Sequence, residues 1–309
     1  MVCVMMSTYN GEKYIYEQID SIMKQNIKHL ILLIRDDGSQ DKTVEIIDSL
    51  KKNLPPNREI RLIRGHNIGA ECSFYELIYY AKKNLDTCKY YAFSDQDDVW
   101  ERDKIPVAVK LLSKMNDKMP NLYYSNLKVV DEKLNFIGYK FKKGYVKTTS
   151  EFVATEMCAW GCTCVFNFKA LDEMSKIKYD YYLAHDNWIL WLCTFKGRCI
   201  YDEKSYILYR QHGDNVSGQV KFGLEKIWQN IKKMTSLLKL RAEFEPRAKL
   251  LLSLYDDNLN IYDKDILRQV AFYKDSFRSR IMLLCSTKIS SGHLLKEIGR
   301  RVRIILGEL

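Results

Sequence analysis

The chain has no long apolar run: stretches such as LILLI, Leu30 to Ile34, fall far short of the ~20 residues that a bilayer-spanning helix needs. A transmembrane helix is therefore not expected. The N-terminus, MVCVMMSTYN, has no basic segment ahead of its apolar run and no room for a cleavage site before STYN. That argues against a secretory signal, and the expected location is cytoplasmic. A C-x-x-C pair is missing too. Nine cysteines are scattered, and the closest group, Cys158, Cys162 and Cys164, has no fourth ligand nearby, so they read as small buried hydrophobes rather than a zinc site. The tripeptide NVS at 215–217 matches a glycosylation acceptor but carries no weight without an export signal. The G-x-G-x-x-G that a dinucleotide-binding dehydrogenase needs after a strand is absent. No zinc finger or recognition motif accompanies the net charge of +10, so a nucleic-acid partner is not expected.

What is present is ordinary globular material: 309 residues, 47% hydrophobic and 28% charged, enough for one sizeable α/β domain and an appendage. The charge is unevenly placed. Residues 221–309 hold 18 Lys and Arg against 10 Asp and Glu, a surplus of eight out of the chain's ten. Over roughly the first 130 residues, β-like runs alternate with helix-like patterns. VCVMMS precedes Ile15, Ile19 and Ile22; LILLIRDD precedes Val44, Ile47 and Leu50; EIRLIR precedes Phe74, Leu77 and Ile78; YYAFS precedes Val107, Leu111 and Leu112. This alternation predicts βαβ units and a mainly parallel sheet, whose ligands bind beyond the carboxyl ends of the strands.

Polar clusters fall at those ends: STYNGEKY, RDDGSQDKT, GHNIGA and SDQDD. Any one of them reads as a turn, with Ser39 or Asp41 capping the next helix in the second. Four at one sheet edge point to a binding site. Within the fourth, Asp95, Asp97 and Asp98 stand directly behind an apolar strand. Strand alternation predicts that Asp95 and Asp97 face one way while Asp98 turns elsewhere, a seat for Mg²⁺ or Mn²⁺ whose shell substrate phosphates complete.

In this order STYNGEKYI (Ser7 to Ile15), RDDGSQDKT (Arg35 to Thr43), GHNIGA (Gly65 to Ala70), SDQDDVW (Ser94 to Trp100), HDNW (His185 to Trp188) and YRQHGDNVSG (Tyr209 to Gly218) resemble a known family. It is the inverting family 2 glycosyltransferases of the GT-A fold, particularly the bacterial rhamnosyltransferase-like branch that builds cell-surface polysaccharides. The resemblance covers roughly residues 1–220. It implies that Asp37 accepts a hydrogen bond from N3–H of a uracil or thymine, with Asp36 beside it and Thr8 and Tyr9 lining the base pocket. SDQD matches the D-x-D motif, making Asp97 the direct metal ligand and Asp95 a contact to ribose or metal. Asp98 can be aligned in two registers. Asp186 falls at the family's general base; chemistry alone favours it as a helix cap, and its position in the motif order reverses that. His185 replaces the usual acidic residue before it. AWGCT, Ala159 to Thr163, is similar to the acceptor loop, so Gly161 would let a sugar approach the backbone, with Trp160, His185 and Trp188 also toward the acceptor. His212 corresponds to a further metal ligand, and Arg210 would reach diphosphate oxygens.

The implied reaction is transfer of L-rhamnose from dTDP-L-rhamnose to a hydroxyl of a lipid-linked polysaccharide. A UDP-hexose or UDP-N-acetylhexosamine donor, or a non-catalytic nucleotide-sugar-binding scaffold, stands as the alternative. The fold class expected is a GT-A catalytic domain over 1–220 and a basic helical region over 221–309. In the latter, Leu224 to Leu238 and then Leu295, Ile298, Val302 and Ile305 follow helical spacing, with Lys296, Arg300, Arg301 and Arg303 interleaved. A basic amphipathic helix suits either the inner face of a membrane or packing against a second subunit, as in a homodimer.

Overall fold

The computed structural model describes residues 1–178, 183–212, 244–286, 289 and 294–307. The helical pattern of 224–238, the tripeptide at 215–217 and the end of the YRQHGDNVSG motif lie outside the described residues.

The parallel half of the sheet forms as the periodicity predicts. Strands β1 (Val2–Thr8), β2 (Leu30–Asp36), β3 (Arg58–Arg64) and β4 (Tyr90–Ser94) lie side by side in the order β3-β2-β1-β4, every pair parallel. Strands covered by helices on both faces read as unbroken apolar runs, and β2 is buried at all seven positions. The crossovers are α1 (Ile15–Met23), α2 (Thr43–Lys51) and α3 (Ala70–Asn84). Ile15, Ile19 and Ile22 form one buried stripe on α1, and Phe74, Leu77 and Ile78 one on α3.

Beyond β4 the sheet becomes mixed. A two-residue β5 (Val99–Trp100) leads into α4 (Lys104–Leu112), followed by β6 (Asn121–Val130) and the hairpin strand β7 (Phe136–Tyr139). After the short α5 (Ser150–Val153), β8 (Val165–Asn167) runs antiparallel between β4 and β6. Helices α6 (Phe168–Met174) and α7 (His185–Lys196) precede β9 (Arg198–Arg210), which pairs parallel with β6 and antiparallel with β5. In α4 the buried face is Lys104, Ile105, Ala108 and Leu112, while Val107 and Leu111 are only partly covered. The helix is thus rotated from the expected apolar face, and a lysine enters the core.

The chain divides into two compact units. One comprises 1–146, 159–193 and 197–220, and holds the sheet; the other comprises 147–158, 194–196 and 221–309. Besides α5, the described α-helices of the second unit are α8 (Phe244–Tyr255), α9 (Ile261–Ala271), α10 (Phe277–Leu284) and α11 (Leu294–Leu306). Ile304 of α11 is buried, and Arg300 turns inward with it, donating to Glu297 and to the Leu283 carbonyl. The stripe Ile298, Val302 and Ile305 faces outward, each roughly half exposed. No helix of the described residues is long and apolar enough to cross a membrane.

Candidate active site

Three loops at the carboxyl edge of the parallel strands are laced together by side chains. After β1, Asn10 N–H donates to Ser39 Oγ, Gly11 N–H to Thr43 Oγ1 and Glu12 N–H to Asp41 Oδ2, which ties this loop to the one after β2. Gln96, in the loop after β4, completes the lacing. Its Oε1 accepts from Thr8 Oγ1 at 2.6 Å and from Tyr9 N–H at 3.0 Å, and its Nε2 donates to the Tyr9 carbonyl. The sequence motif passed over Gln96 because it stands at the variable position between two aspartates. The N-cap of α2 is Lys42 and no side-chain cap forms, so neither Ser39 nor Asp41 caps the helix as expected; Asp41, just ahead of the cap, accepts from Thr43 N–H.

The expected base-pocket residues sit on these loops, with one correction. Thr8 is buried and Tyr9 is 43% exposed. Asp36 accepts from Gly38 N–H, Ser39 N–H and Ser39 Oγ, and so shapes the DDGS turn. Asp37 was expected to read a base. Instead its buried carboxylate pairs with Arg35 and accepts from Ile68 N–H at 3.0 Å and Gly69 N–H at 2.8 Å. It clamps the GHNIGA loop, and a base contact would share oxygens already engaged.

The acidic cluster also departs from simple alternation. Because β4 ends at Ser94, the period of two does not extend through Asp95 to Asp98. Ligating atoms of Asp95, Asp98 and Cys162 lie within 4.8 Å of one another, the single such group of three among the described residues. Asp98 is wholly buried; one oxygen accepts from Arg210 N–H at 3.2 Å and the other has no hydrogen-bond partner. Burial, reinforced by Asp97 and Asp95, raises the Asp98 carboxyl well above its ordinary range. Burial also raises Asp95 to about 7, with Asp97 and Asp186 adding to the effect. The Cys162 thiol is pushed up by burial and by the same carboxylates, so it stays protonated and neutral. Behind the cluster, burial lowers the Lys104 ammonium to about 8 while Cys162, Cys164 and Asp98 pull the other way; its Nζ lies 3.6 Å from the Trp100 ring centre.

Carboxylates that resist ionising together are a fitting seat for a hard divalent cation. Asp97 and His212, far apart in sequence, meet here: Asp97 Oδ2 lies 2.7 Å from His212 Nε2. The Asp97 carboxylate and His212 imidazole, with Asp95 near them, offer oxygen and nitrogen donors that suit Mg²⁺ or Mn²⁺, while the unpartnered buried oxygen of Asp98 belongs to the group with Asp95 and Cys162. Arg210 does something other than expected. Its guanidinium is 3% exposed and donates to the Asp97 carbonyl, the Glu132 carbonyl and the Glu17 carboxylate. It fastens β9 to the acidic loop, and reaching a diphosphate would require those contacts to be exchanged.

Asp186 enters the same cluster from α7. The N-cap of that helix is Ala184, which places Asp186 in the first turn and not at the cap. One carboxylate oxygen accepts from Asn187 N–H at 2.6 Å and the other from Gly161 N–H at 3.3 Å. Gly161 therefore holds the carboxylate, and the space where its Cβ would be is filled by His185 Nε2, 2.7 Å away. The missing side chain makes room for this ring, not for a sugar. His185 itself stacks on Phe74 at 3.9 Å and meets Phe93 edge-on at 4.6 Å, with neither ring nitrogen hydrogen-bonded. Trp188 is 0% exposed. Both were expected at the acceptor, and both are interior packing: α7 is apolar on the sides they occupy. Of the expected acceptor residues only Trp160 is partly exposed, packed edge-to-face with Phe141 at 5.6 Å.

The chain is similar to known proteins in both sequence and fold. The family model Glycosyl transferase family 2 matches residues 3–175. The dTDP-rhamnosyl transferase RfbG of Shigella flexneri is 32% identical over 222 residues, 69% of this chain and 73% of that protein. The UDP-Glc:alpha-D-GlcNAc-diphosphoundecaprenol beta-1,3-glucosyltransferase WfgD of Escherichia coli is 26% identical over 205 residues, 65% of this chain and 72% of that protein. Among solved structures, S. aureus TarS in complex with UDP-GlcNAc aligns with a TM-score of 0.55 at 14% identity, covering 98% of this chain and 90% of that one. The mannosyltransferase PcManGT of Pyrobaculum calidifontis, in complex with GDP-Man and Mn²⁺, gives 0.50 at 16% identity, covering 100% and 88%. At such identities the last two share the fold: an α/β, Rossmann-like mixed sheet followed by helices.

Proposed function

Because the chain belongs to glycosyl transferase family 2, we propose that it transfers L-rhamnose from dTDP-L-rhamnose to a hydroxyl of a lipid-linked cell-surface saccharide, inverting the anomeric carbon. The convergence of Asp186 with Asp95 and Asp97, brought from α7 and from the end of β4, carries the proposal. In-line displacement needs a base opposite the leaving group. Asp186 takes the acceptor proton as the new C–O bond forms and the anomeric C–O bond to the diphosphate breaks. The Gly161 N–H and the start of α7 hold that carboxylate in place. Thr8, Tyr9, Asp36 and Asp37 line or brace the nucleotide pocket. Asp97 and His212, with Asp95 beside them, would hold Mg²⁺ or Mn²⁺, which when bound neutralises charge on a departing diphosphate. A UDP-glucose donor is the second reading, favoured by the likeness to WfgD.

Thermal-shift titration with dTDP, UDP, GDP and CDP, with and without Mn²⁺, followed by hydrolysis assays on the matching nucleotide sugars, tests this. A pyrimidine diphosphate should stabilise the protein most, and Mn²⁺ should enhance the shift. In Asp97→Asn the Mn²⁺ enhancement should disappear. If the variant binds metal and nucleotide as the wild type does, the cation assignment fails.

A further inference from the structure

Lys104 opens α4 with its side chain wholly buried, and its Nζ has no hydrogen-bond partner. The transfer chemistry above gives it no role. Its place follows from the path of the chain: β5 begins directly after Asp98, and the turn closed by Lys104 N–H donating to the Glu101 carbonyl folds the lysine back over Trp100. The ammonium comes to 3.6 Å from the centre of that ring. A cation in the first turn of a helix opposes the helix dipole, so α4 itself does nothing to hold it. The indole face supplies part of the compensation, since a desolvated ammonium is drawn to a tryptophan face. Carboxylates supply the rest. Asp98 acts on the ammonium directly, and Cys162 links the two groups: its sulfur lies within 4.8 Å of ligating oxygens of Asp95 and Asp98. The Cys162 thiol, raised chiefly by burial, is pushed further up by those carboxylates and drawn down by Lys104. Burial lowers the ammonium itself only to about 8, which leaves it charged at neutral pH.

Asp95, Asp97, Asp98 and Asp186 are close enough to oppose one another's ionisation. Arg210 is poorly placed to neutralise them, because its guanidinium is committed to the Glu17 carboxylate and to the Asp97 and Glu132 carbonyls. We propose that Lys104 is a positioning residue, a built-in counter-cation that holds the acidic loop together before the divalent cation arrives and sets how loosely that cation is then held. The inference rests on the reading of Asp97 and His212 as ligands of the cation, and assigns the residue that tunes them. A fixed positive charge buried near the loop lowers the repulsion among its carboxylates in the metal-free protein. For the same reason it opposes the entry of a second positive charge. A lysine kept only for the packing of its stem on Trp100 would do neither. The two roles differ in sign: removing a counter-cation tightens metal binding, whereas removing packing loosens the loop and weakens it.

The test titrates the whole nucleotide-free chain with Mn²⁺ and reads the electron paramagnetic resonance signal of the free ion. Lys104→Met, which keeps the length of the side chain and removes its charge, should bind Mn²⁺ about tenfold more tightly than wild type. Lys104→Arg keeps the charge and should stay close to wild type. Combining Lys104→Met with Asp97→Asn should abolish the gain, which ties it to the acidic loop. In EDTA the Met variant should melt below wild type, and saturating Mn²⁺ should raise its melting temperature by more than it raises that of wild type, because the ion replaces the missing charge. Lys104→Gln is a second neutral variant and should behave as Lys104→Met does. The proposal is overturned if the neutral variants bind Mn²⁺ with wild-type or weaker affinity, or if Lys104→Arg tightens binding as they do. It is equally overturned if neither neutral variant folds even in Mn²⁺, since the ion should substitute for the lysine. Those results leave the cation reading standing as long as wild type binds Mn²⁺ and Asp97→Asn does not. Absence of Mn²⁺ binding from wild type and from both neutral variants would remove that reading itself.

Discussion

Asp186 lies at the second residue of α7, where the Asn187 N–H and the Gly161 amide each donate to its carboxylate. Converting it to Asn keeps the size and removes the proton acceptor. Asp186→Asn should lower transfer by on the order of 10²- to 10⁴-fold while leaving the affinity for dTDP within error. Near-normal transfer by the folded variant would remove Asp186 from the mechanism. Its neighbour His185 shows how burial governs a titratable group. Burial lowers its pKa from 6.5 to about 4, against the pull of Asp186, because the ring is sandwiched by Phe74 and Phe93 without a hydrogen-bond partner. The folded state thus binds its proton less tightly than the unfolded chain. Stability from this residue is present above pH 6.5 and is lost as the pH falls toward 4, by about 3 kcal/mol in all. Replacing it by Phe should flatten the fall in denaturation free energy between pH 7 and pH 4.5 relative to wild type. Parallel falls in the two proteins would mean that His185 is already hydrated and protonated. At this scale the acidic positions were legible in the sequence, because loop ends after apolar strands collect site residues. Whether each side chain serves ligand or scaffold was not. Asp37, Arg210, Gly161 and Trp188 all belong to site motifs, yet each is occupied by Arg35 and backbone, by β9 anchoring, by His185 or by the core. Sequence spacing cannot reveal these pairings, since the partners lie in other segments.

Elements show a different division. Strands β1, β2 and β4 and the crossover helices were readable because those strands are covered on both faces and each helix on one, which stamps distinct periods on the sequence. The edge strand β3, buried only at Ile60, showed through its run EIRLIR. The short strands of the second half were not readable, because β8 is three residues long and β5 two, too short to carry a period. The turn of α4 that buries Lys104 was equally hidden, since a lysine at that position reads as the polar face. One residue between elements is decisive. Gly197 alone separates α7 from β9, and a Cβ there would stand 1.7 Å from the Pro120 carbonyl oxygen, which itself accepts from Arg198 N–H at 3.0 Å. A backbone oxygen cannot swing aside as a side chain can. Gly197→Ala should therefore cost about 3 kcal/mol, as forced overpacking does, and lower the urea midpoint without entering the acidic cluster. A change below about 0.5 kcal/mol would show that the connection adapts, as exposed sites do.

At the scale of the whole molecule, the basic surplus after residue 221 was visible in composition alone, but its placement was not. The expectation of a membrane-facing α11 treated Arg300, Arg301 and Arg303 as equivalent. Arg300 is in fact buried and paired with Glu297, and belongs to the packing of the second unit. On the opposite side of the helix Ile298, Val302 and Ile305 recur at helical spacing, 51%, 47% and 59% exposed, with Arg301 exposed beside them. In the same unit Phe277 and Met282 of α10 are also exposed, at 79% and 55%. An outward apolar stripe flanked by cations suits insertion at an anionic lipid surface, where each exposed basic residue contributes about 1 kcal/mol and salt screens it. Replacing Ile298, Val302 and Ile305 by Ser should release the protein from phosphatidylglycerol vesicles at every salt concentration. Arg301→Gln should weaken flotation at low salt and change little at high salt. Arg300→Gln should act on a different quantity, lowering the melting temperature because Glu297 and the Leu283 carbonyl lose their donor. If the stripe instead packs on a second copy of the chain, the Ser triple variant will change the mass measured by light scattering. Vesicle binding by wild type will then be absent, or equal on neutral and anionic lipid. That result would replace the bilayer with a homodimer as the partner of α11.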